Sequence, residues 1–262
     1  MSGGWELKSE LTGKKENTAH EGLPEPVRNV LTILVLSMAA MNAAVAQSSF
    51  IREGQSGWKV SGQFLTGSGA TSGGITIGYS GKGLVDAVMS MSRSSFPNPY
   101  PFNFVNDGRV ITGAAYSETF RTFIVKQGRR DAPVSLSLSA GCLLGSFSAP
   151  KSQISQKVQV DNGYMFYGAS LSRQVYVSGF ISIQPSVSFL YWEGFGSVDE
   201  EYYHVQAANN YARSLSANVS FSTPVSEVST LVITPCITYF GRRSVVSIDA
   251  GFVFLTNDGA KK

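Results

Sequence analysis

Residues 134–140 read Val-Ser-Leu-Ser-Leu-Ser-Ala, an unbroken alternation of apolar and small polar side chains. The same alternation recurs in residues 180–191 (FISIQPSVSFLY) and in residues 215–222 (LSANVSFS). A period of two residues is typical of a β-strand, because successive side chains of a strand point to opposite faces. No segment after residue 47 offers a competing amphipathic helix. The sequence therefore predicts an all-β domain whose strands each have one apolar face.

The alternation divides the chain after residue 47 into about ten strands, with eight or twelve as alternatives. The predicted strands lie near 58–66, 73–80, 83–92, 109–125, 133–147, 163–172, 174–192, 210–223, 228–240 and 243–255. The connections after the second, fourth, sixth and eighth strands are short or modest. Three of the others are longer, namely 93–108, 148–162 and 193–209. This alternation places the long loops at one end, which is typical of an up-and-down antiparallel transmembrane β-barrel.

The N-terminal region predicts export. Val30 to Ala46 is the only long apolar run, Arg28 precedes it, and Ala44-Val45-Ala46 provides small residues before Gln47. This arrangement is typical of a cleaved secretory signal peptide, and a single membrane anchor is the alternative. We therefore divide the chain into residues 1–46, an N-terminal extension with the signal peptide, and residues 47–262, the barrel domain. The charged stretch that precedes the apolar run is longer than signal peptides usually have.

The composition indicates which face of the strands meets which medium. Charged residues make up 15% of the chain, 37 of the 262 residues are serine, and the net charge is +3. Exposed strands of soluble proteins normally carry long charged side chains, whereas the polar faces here are largely serine. We therefore expect the serine face to line a hydrated lumen and the apolar face to contact lipid. A soluble secreted β-sandwich is the alternative, and nothing in the sequence indicates nucleic-acid binding.

Residues 47–262 resemble the small bacterial outer-membrane β-barrel proteins. The resemblance rests on the signal peptide, on strands such as VSLSLSA and SLSANVSF, and on the alternation of loop lengths. It implies a location in the bacterial outer membrane, with the lipid bilayer and the outer-membrane assembly machinery as partners. One departure is that residues 255–262 follow Phe254, whereas such proteins typically finish on an aromatic residue.

The serine-lined lumen predicts a narrow passive pore for small solutes. A non-conducting structural or adhesive barrel that acts through its extracellular loops, on an extracellular ligand or an envelope partner, is the alternative. Loop 93–108 combines three prolines with aromatic residues and is a candidate binding surface. The lumen-lining candidates are Lys59, Asp86, Ser182, Gln184, Ser186, Asn218 and Asp249, and the loop-binding candidates are Tyr100, Phe102, Phe104 and His204.

Enzymatic chemistry has little support in the sequence. His204 is the only histidine after residue 47 and lies beside Glu200 and Glu201, so a proton-transfer site at the outer rim is a third reading. The simpler interpretation is that His204 is a solvated loop residue, since no nucleophile motif accompanies it in the sequence. We therefore predict no enzyme activity, no metal site and no cofactor.

Parity along the strands makes three finer predictions, and proximity to strand ends makes a fourth. Closure of the barrel makes the first and last strands neighbours, so Lys59 and Asp249 are expected to meet. Cys142 and Cys236 fall on opposite faces and are not expected to form a disulfide. Glu118 and Arg121 have opposite parity, so one of them faces lipid unless the strand is bulged or shorter. Aromatic residues near strand ends are expected to form interfacial girdles, namely Trp58, Tyr191, Trp192, Tyr211, Tyr239, Phe240 and Phe254.

Overall fold

The computed structural model describes residue 51 and residues 54–67, 70–97, 110–149, 158–200, 203–240 and 243–256. These residues form strands and one short 3₁₀ turn, Arg129–Asp131. No helix within these ranges is long and apolar enough to cross a membrane. The strands are β1 Ser56–Gly67, β2 Ala70–Gly81, β3 Val85–Pro97, β4 Val110–Val125, β5 Ser135–Ala149, β6 Val158–Ser172, β7 Val175–Ser178, β8 Ile181–Glu200, β9 Tyr203–Pro224, β10 Ser229–Phe240 and β11 Arg243–Thr256.

Ten of these strands form a closed antiparallel barrel. Neighbours in the chain pair with one another, β1 also pairs with β11, and β6 pairs with β8, while β7 adds only a short pairing to β8. The cross-strand partners of Ser172 in β6, followed once around the barrel, lead back to Val160, twelve residues away on the same strand. This stagger gives a strand tilt of about 40° and a backbone radius of about 10 Å. The predicted barrel of about ten strands is confirmed.

The two ends of the barrel differ in their connections. The terminal end contains residue 51 and residues 54–56, the turns that precede β3, β5, β8 and β10, and the end of β11 at Thr256. The loop end carries the other five connections, at 68–69, 98–109, 150–157, 201–202 and 241–242, all outside the described residues. The predicted signal peptide also lies outside the described residues.

Side chains alternate between the two faces as the sequence predicts. In β1, Lys59 and Ser61 face inward and are buried, whereas Trp58 and Val60 face outward and are exposed. In β5, the serines of residues 135–139 face inward. Because the outward residues are largely Ile, Val, Leu, Met, Phe and Tyr, the outer surface of the barrel is apolar.

The predicted seventh strand, 174–192, is wrong at its start. The chain turns at residues 179–180, so that β7 folds back on the beginning of β8. The β6–β8 ladder ends at the Ser172–Ser186 pair, directly before Pro185. Proline has no backbone N–H and cannot continue a ladder on that side, so the residues after β6 leave the barrel wall and form the short β7 hairpin.

The predicted long loop 193–209 is also wrong, because β8 and β9 continue through it as a hairpin. β8 pairs with β9 as far as Glu200 and Tyr203, with one register shift between Gly194 and Gly196. β10 pairs with β9 only up to Ser214, where Phe240 is the partner. The β9 residues from 203 to 213 therefore rise beyond the end of the β9–β10 ladder.

Candidate functional site

The inner wall of the barrel contains all seven lumen-lining candidates. We call the inward faces of β11 and β1 to β4 the charged wall, because the two buried ion pairs of the described residues lie there. We call the inward faces of β5, β6, β8, β9 and β10 the aromatic wall. Among the aromatic-wall side chains that the structure describes, which exclude those of residues 197–210, no inward one is charged.

The first ion pair joins the two strands that close the barrel. The Lys59 Nζ lies 2.5 Å from the Asp249 Oδ1, and both side chains are almost fully buried. The hydroxyl of Ser61 donates to the other carboxylate oxygen of Asp249 at 2.7 Å. The contact expected from barrel closure is thus present, and each carboxylate oxygen has a donor.

The second ion pair joins β3 and β4. The guanidinium of Arg121 donates from Nε at 2.9 Å and from Nη2 at 2.7 Å to the Asp86 Oδ2. This settles the parity conflict in β4: Arg121 faces inward, and Glu118 lies on the outer face, where it accepts a hydrogen bond from the Tyr116 hydroxyl. Asp86 was predicted to face the lumen, but its partner Arg121 was not. Arg121 has the same parity in β4 as Ser117, which faces inward, and this was the signal that could have identified the partner.

Hydroxyl and amide groups on neighbouring strands bond to one another along the wall. Ser182 and Ser222 lie 2.5 Å apart, and Ser186 donates to the Asn218 Oδ1 at 2.7 Å. Gln184 is buried beside them. The side-chain amide of Gln63 and the Thr119 hydroxyl have no protein partner, and buried groups of this kind normally bind internal water. The described contacts of the middle of the lumen thus run between neighbouring strands rather than across it.

The aromatic wall was missed from the sequence. Trp192 and Phe240 were expected in an outer girdle, but both face inward and are buried, with ring centroids 6.4 Å apart. Phe166 packs on Trp192 at 4.6 Å, and the Trp192 indole donates to the Ser214 hydroxyl at 3.0 Å. Trp192 has the same parity in β8 as Ser188, which faces inward. Parity was therefore a better guide to the face of this residue than its proximity to a strand end.

Inward glycines make room for these rings. A Cβ on Gly141 would overlap the ring of Phe166, and one on Gly194 would overlap the ring of Tyr164. The rings of Phe166 and Tyr164 therefore each lie against a glycine of a neighbouring strand. The large rings of the aromatic wall fit against the sheet because the adjacent positions have no side chain.

The terminal mouth is occupied by the beginning of the described chain. Ile51 is buried and packs against Val232 and Val253, both of which face inward. The ammonium group of Lys126 donates to the carbonyls of Ile51, at 3.0 Å, and Gly83, at 2.7 Å. The same ammonium lies 4.2 Å from the ring centroid of Phe123. This cluster anchors Ile51 inside the mouth.

The outer face retains part of the expected girdle. At the terminal end, Trp58 contacts Tyr79 with ring centroids 4.9 Å apart. Nearer the loop end, Tyr191 lies between Tyr167 at 5.3 Å and Tyr211 at 5.9 Å. Tyr239 and Phe254 are also exposed on the outer face.

The structure describes some of the remaining candidate residues, whereas others lie outside the described residues. Both cysteines are free: Cys236 is buried on the inner wall, and Cys142 lies on the outer face. His204 belongs to β9, opposite Asp199 of β8, rather than to a loop. The described residues contain no group of His, Cys, Asp and Glu that could hold a metal ion. Tyr100, Phe102 and Phe104 lie outside the described residues.

The fold is that of bacterial outer-membrane β-barrels. The structure is similar to the translocator domain of the autotransporter NalP from Neisseria meningitidis, with a TM-score of 0.58 and 12% identity over 88% of this chain and 99% of that chain. The outer-membrane protease OmpT from Escherichia coli has a TM-score of 0.41 and 7% identity over 77% of this chain and 96% of that chain. Ail from Yersinia pestis has a TM-score of 0.38 and 8% identity over 78% of this chain and 99% of that chain. No family model and no curated sequence matches the chain.

Proposed function

We propose that this chain is an integral outer-membrane barrel that conducts no solutes in its full-length form and binds partners at its loop end. Its location is supported by the outer face, where large side chains such as Phe64, Met91 and Phe189 are about half exposed. In hydrocarbon every backbone polar group needs a partner, and a closed sheet satisfies this requirement without an edge. An apolar outer face on a closed barrel suits a bilayer.

The observation that carries the non-conducting role is the burial of the inner wall. Ser216, Thr234 and Asp249 have no accessible surface, and Ile51 with Lys126 occupies the terminal mouth. The lining of an open pore would be in contact with water and solutes. The competing function is the narrow passive pore predicted from the sequence, in which the same hydroxyl groups line the solute path.

Single-channel recording separates these two functions. We expect the full-length protein, purified from membranes and reconstituted into planar bilayers, to produce no current steps. Reproducible steps would contradict the proposal and favour the pore. In that case Ser186→Phe, which enlarges an inward side chain, should alter the conductance. The matched variant Val187→Phe, which enlarges its outward neighbour, should leave it unchanged.

The binding role is supported by the part of β9 that rises above β10. Residues 203–207 and 210–213 pair with β8 on one side, and residues 203–213 pair with no described strand on the other. An open strand edge offers backbone N–H and C=O groups in register and readily adds an extended peptide. The hairpin of β8 and β9 therefore presents a surface suited to strand addition.

Shortening the hairpin tests the binding role. Ser197 and Gln206 are cross-strand partners, so residues 197–206 can be replaced by a two-residue Asn-Gly turn in register. We expect bacteria that display the shortened chain to lose adhesion to immobilised matrix proteins that the wild type binds, while the barrel still migrates as a compact band. Equal adhesion by both forms would exclude the hairpin as the binding surface.

A further inference from the structure

A groove of about 620 Å³ crosses the outer face of the barrel from β6 to β11. Its floor follows one row of cross-strand neighbours: Leu171, Val187, Ala217, Ile237 and Val246. Ala217 is the smallest member of the row and lies at its centre, so the row is concave between the larger side chains on either side. The groove is therefore a shaped apolar channel rather than a flat part of the barrel surface.

The ends of the groove lie at different heights in the barrel. Leu171 is next to the terminal end of β6, whereas Val246 is near the loop end of β11. The difference follows from the tilt of the strands, because a row perpendicular to tilted strands climbs around the barrel. A flexible hydrocarbon chain that follows the row would begin at the terminal end and run obliquely towards the middle of the bilayer.

The terminal end of the groove carries a positive charge. Arg173, two residues after Leu171, lines the groove and is exposed. No carboxylate among the described residues forms an ion pair with its guanidinium. An unneutralised guanidinium beside an apolar channel fits a phosphate group joined to a hydrocarbon chain, because guanidinium donors match phosphate oxygens.

We infer that this groove is a specific binding site for a glycerophospholipid, with its phosphate on Arg173 and one acyl chain along the row through Ala217. The inference rests on the proposed membrane location. Pro185 and Pro235 also line the groove, and their rings give it rigid apolar walls at the level next to Ala217. A site of this kind would hold one lipid in a fixed position against the barrel, unlike the exchanging lipids around it.

Native mass spectrometry of the full-length protein, extracted from outer membranes and titrated with dioleoyl phosphatidylglycerol, tests the site. We expect one tightly retained lipid per wild-type barrel. Arg173→Gln should weaken the affinity about fivefold, since one basic residue near a lipid phosphate contributes on this order. Ala217→Phe fills the groove and should abolish the retained lipid. Arg213→Gln, an outward arginine of β9 outside the groove, is the matched control and should bind like the wild type.

The possible results test three parts of the inference separately: the phosphate site, the acyl site and the membrane location. Equal binding by the Arg173→Gln variant and the wild type would overturn the phosphate site, as would dioleoylglycerol binding as tightly as the phospholipid. Unchanged retention by Ala217→Phe would overturn the acyl site. A chain absent from the outer-membrane fraction would overturn the proposed location instead, so failure of the inference and failure of the proposed function are distinguishable.

Discussion

The charged wall and the aromatic wall line the same lumen but are stabilised in different ways. On the charged wall, Lys59 and Arg121 each face one buried carboxylate on the adjacent strand. On the aromatic wall, rings such as Phe166 and Tyr164 lie over glycines of the adjacent strand. The first arrangement depends on matching charge at one register position, and the second depends on matching shape. The two walls should therefore respond to different substitutions.

Removing one partner of the closing ion pair should have the largest effect. Asp249→Ala leaves the Lys59 ammonium buried without a carboxylate, and we expect a loss of about 3–5 kcal/mol in the free energy of unfolding. Urea unfolding of the refolded barrel measures this loss. The paired substitution Lys59→Met with Asp249→Leu should recover most of it, because no unpaired charge remains. A double variant as unstable as Asp249→Ala would show that charge matching is not what stabilises this wall.

Adding a methyl group to the aromatic wall should have an intermediate effect. Gly194→Ala forces the Tyr164 ring to move, and we expect a loss of about 1–3 kcal/mol in the same unfolding measurement. Gly62→Ala on the outer face of β1 is the control, because its Cβ meets no atom closer than 4.0 Å. Combining Gly194→Ala with Tyr164→Leu should relieve the overlap. If the combination shows no coupling between the two positions, the shape-matching explanation of this wall is wrong.

The polar anchor of the aromatic wall should have the smallest effect. Trp192→Phe keeps an aromatic ring in place but removes the indole donor that bonds to Ser214, at a cost of about 1 kcal/mol. A double-mutant cycle with Ser214→Ala measures the coupling between the two side chains. A coupling energy near zero would mean that this wall is held by packing alone, which would sharpen its contrast with the charged wall.

Most of the fold was predictable because the two-residue alternation within each strand shows which face each residue occupies. The parity of Lys59 and Asp249 and the closure of an even-stranded barrel together predicted their contact. The same parity, applied strictly, would also have placed Trp192 and Phe240 inside, but an expectation about interfacial aromatics took precedence. Parity shows which face a residue occupies, whereas the position along the tilted strand depends on stagger, which no single strand specifies.

The hairpin of β8 and β9 was not predictable in the same way. Residues 193–209 are rich in polar groups and lack strict alternation, so they were expected to form a loop. The two segments form strands because each continues a strand whose pairing is already fixed within the barrel. Similarly, the break at Pro185 was visible as a proline, but which of its two neighbouring strands would lose its pairing depended on the register.

The ladder between β9 and β10 also has a mechanical consequence. Its register omits Thr234 and Pro235, and the Thr234 hydroxyl donates to the Ser220 hydroxyl across this gap at 2.8 Å. A closed sheet has no edge from which to unzip, so under load it parts along the line with the fewest cross-links. That line lies between β9 and β10, directly beside the rising part of β9. A force applied to the hairpin of β8 and β9 would thus be transmitted to the ladder between β9 and β10. The aromatic packing beside β8 would stabilise the opposite side of the hairpin.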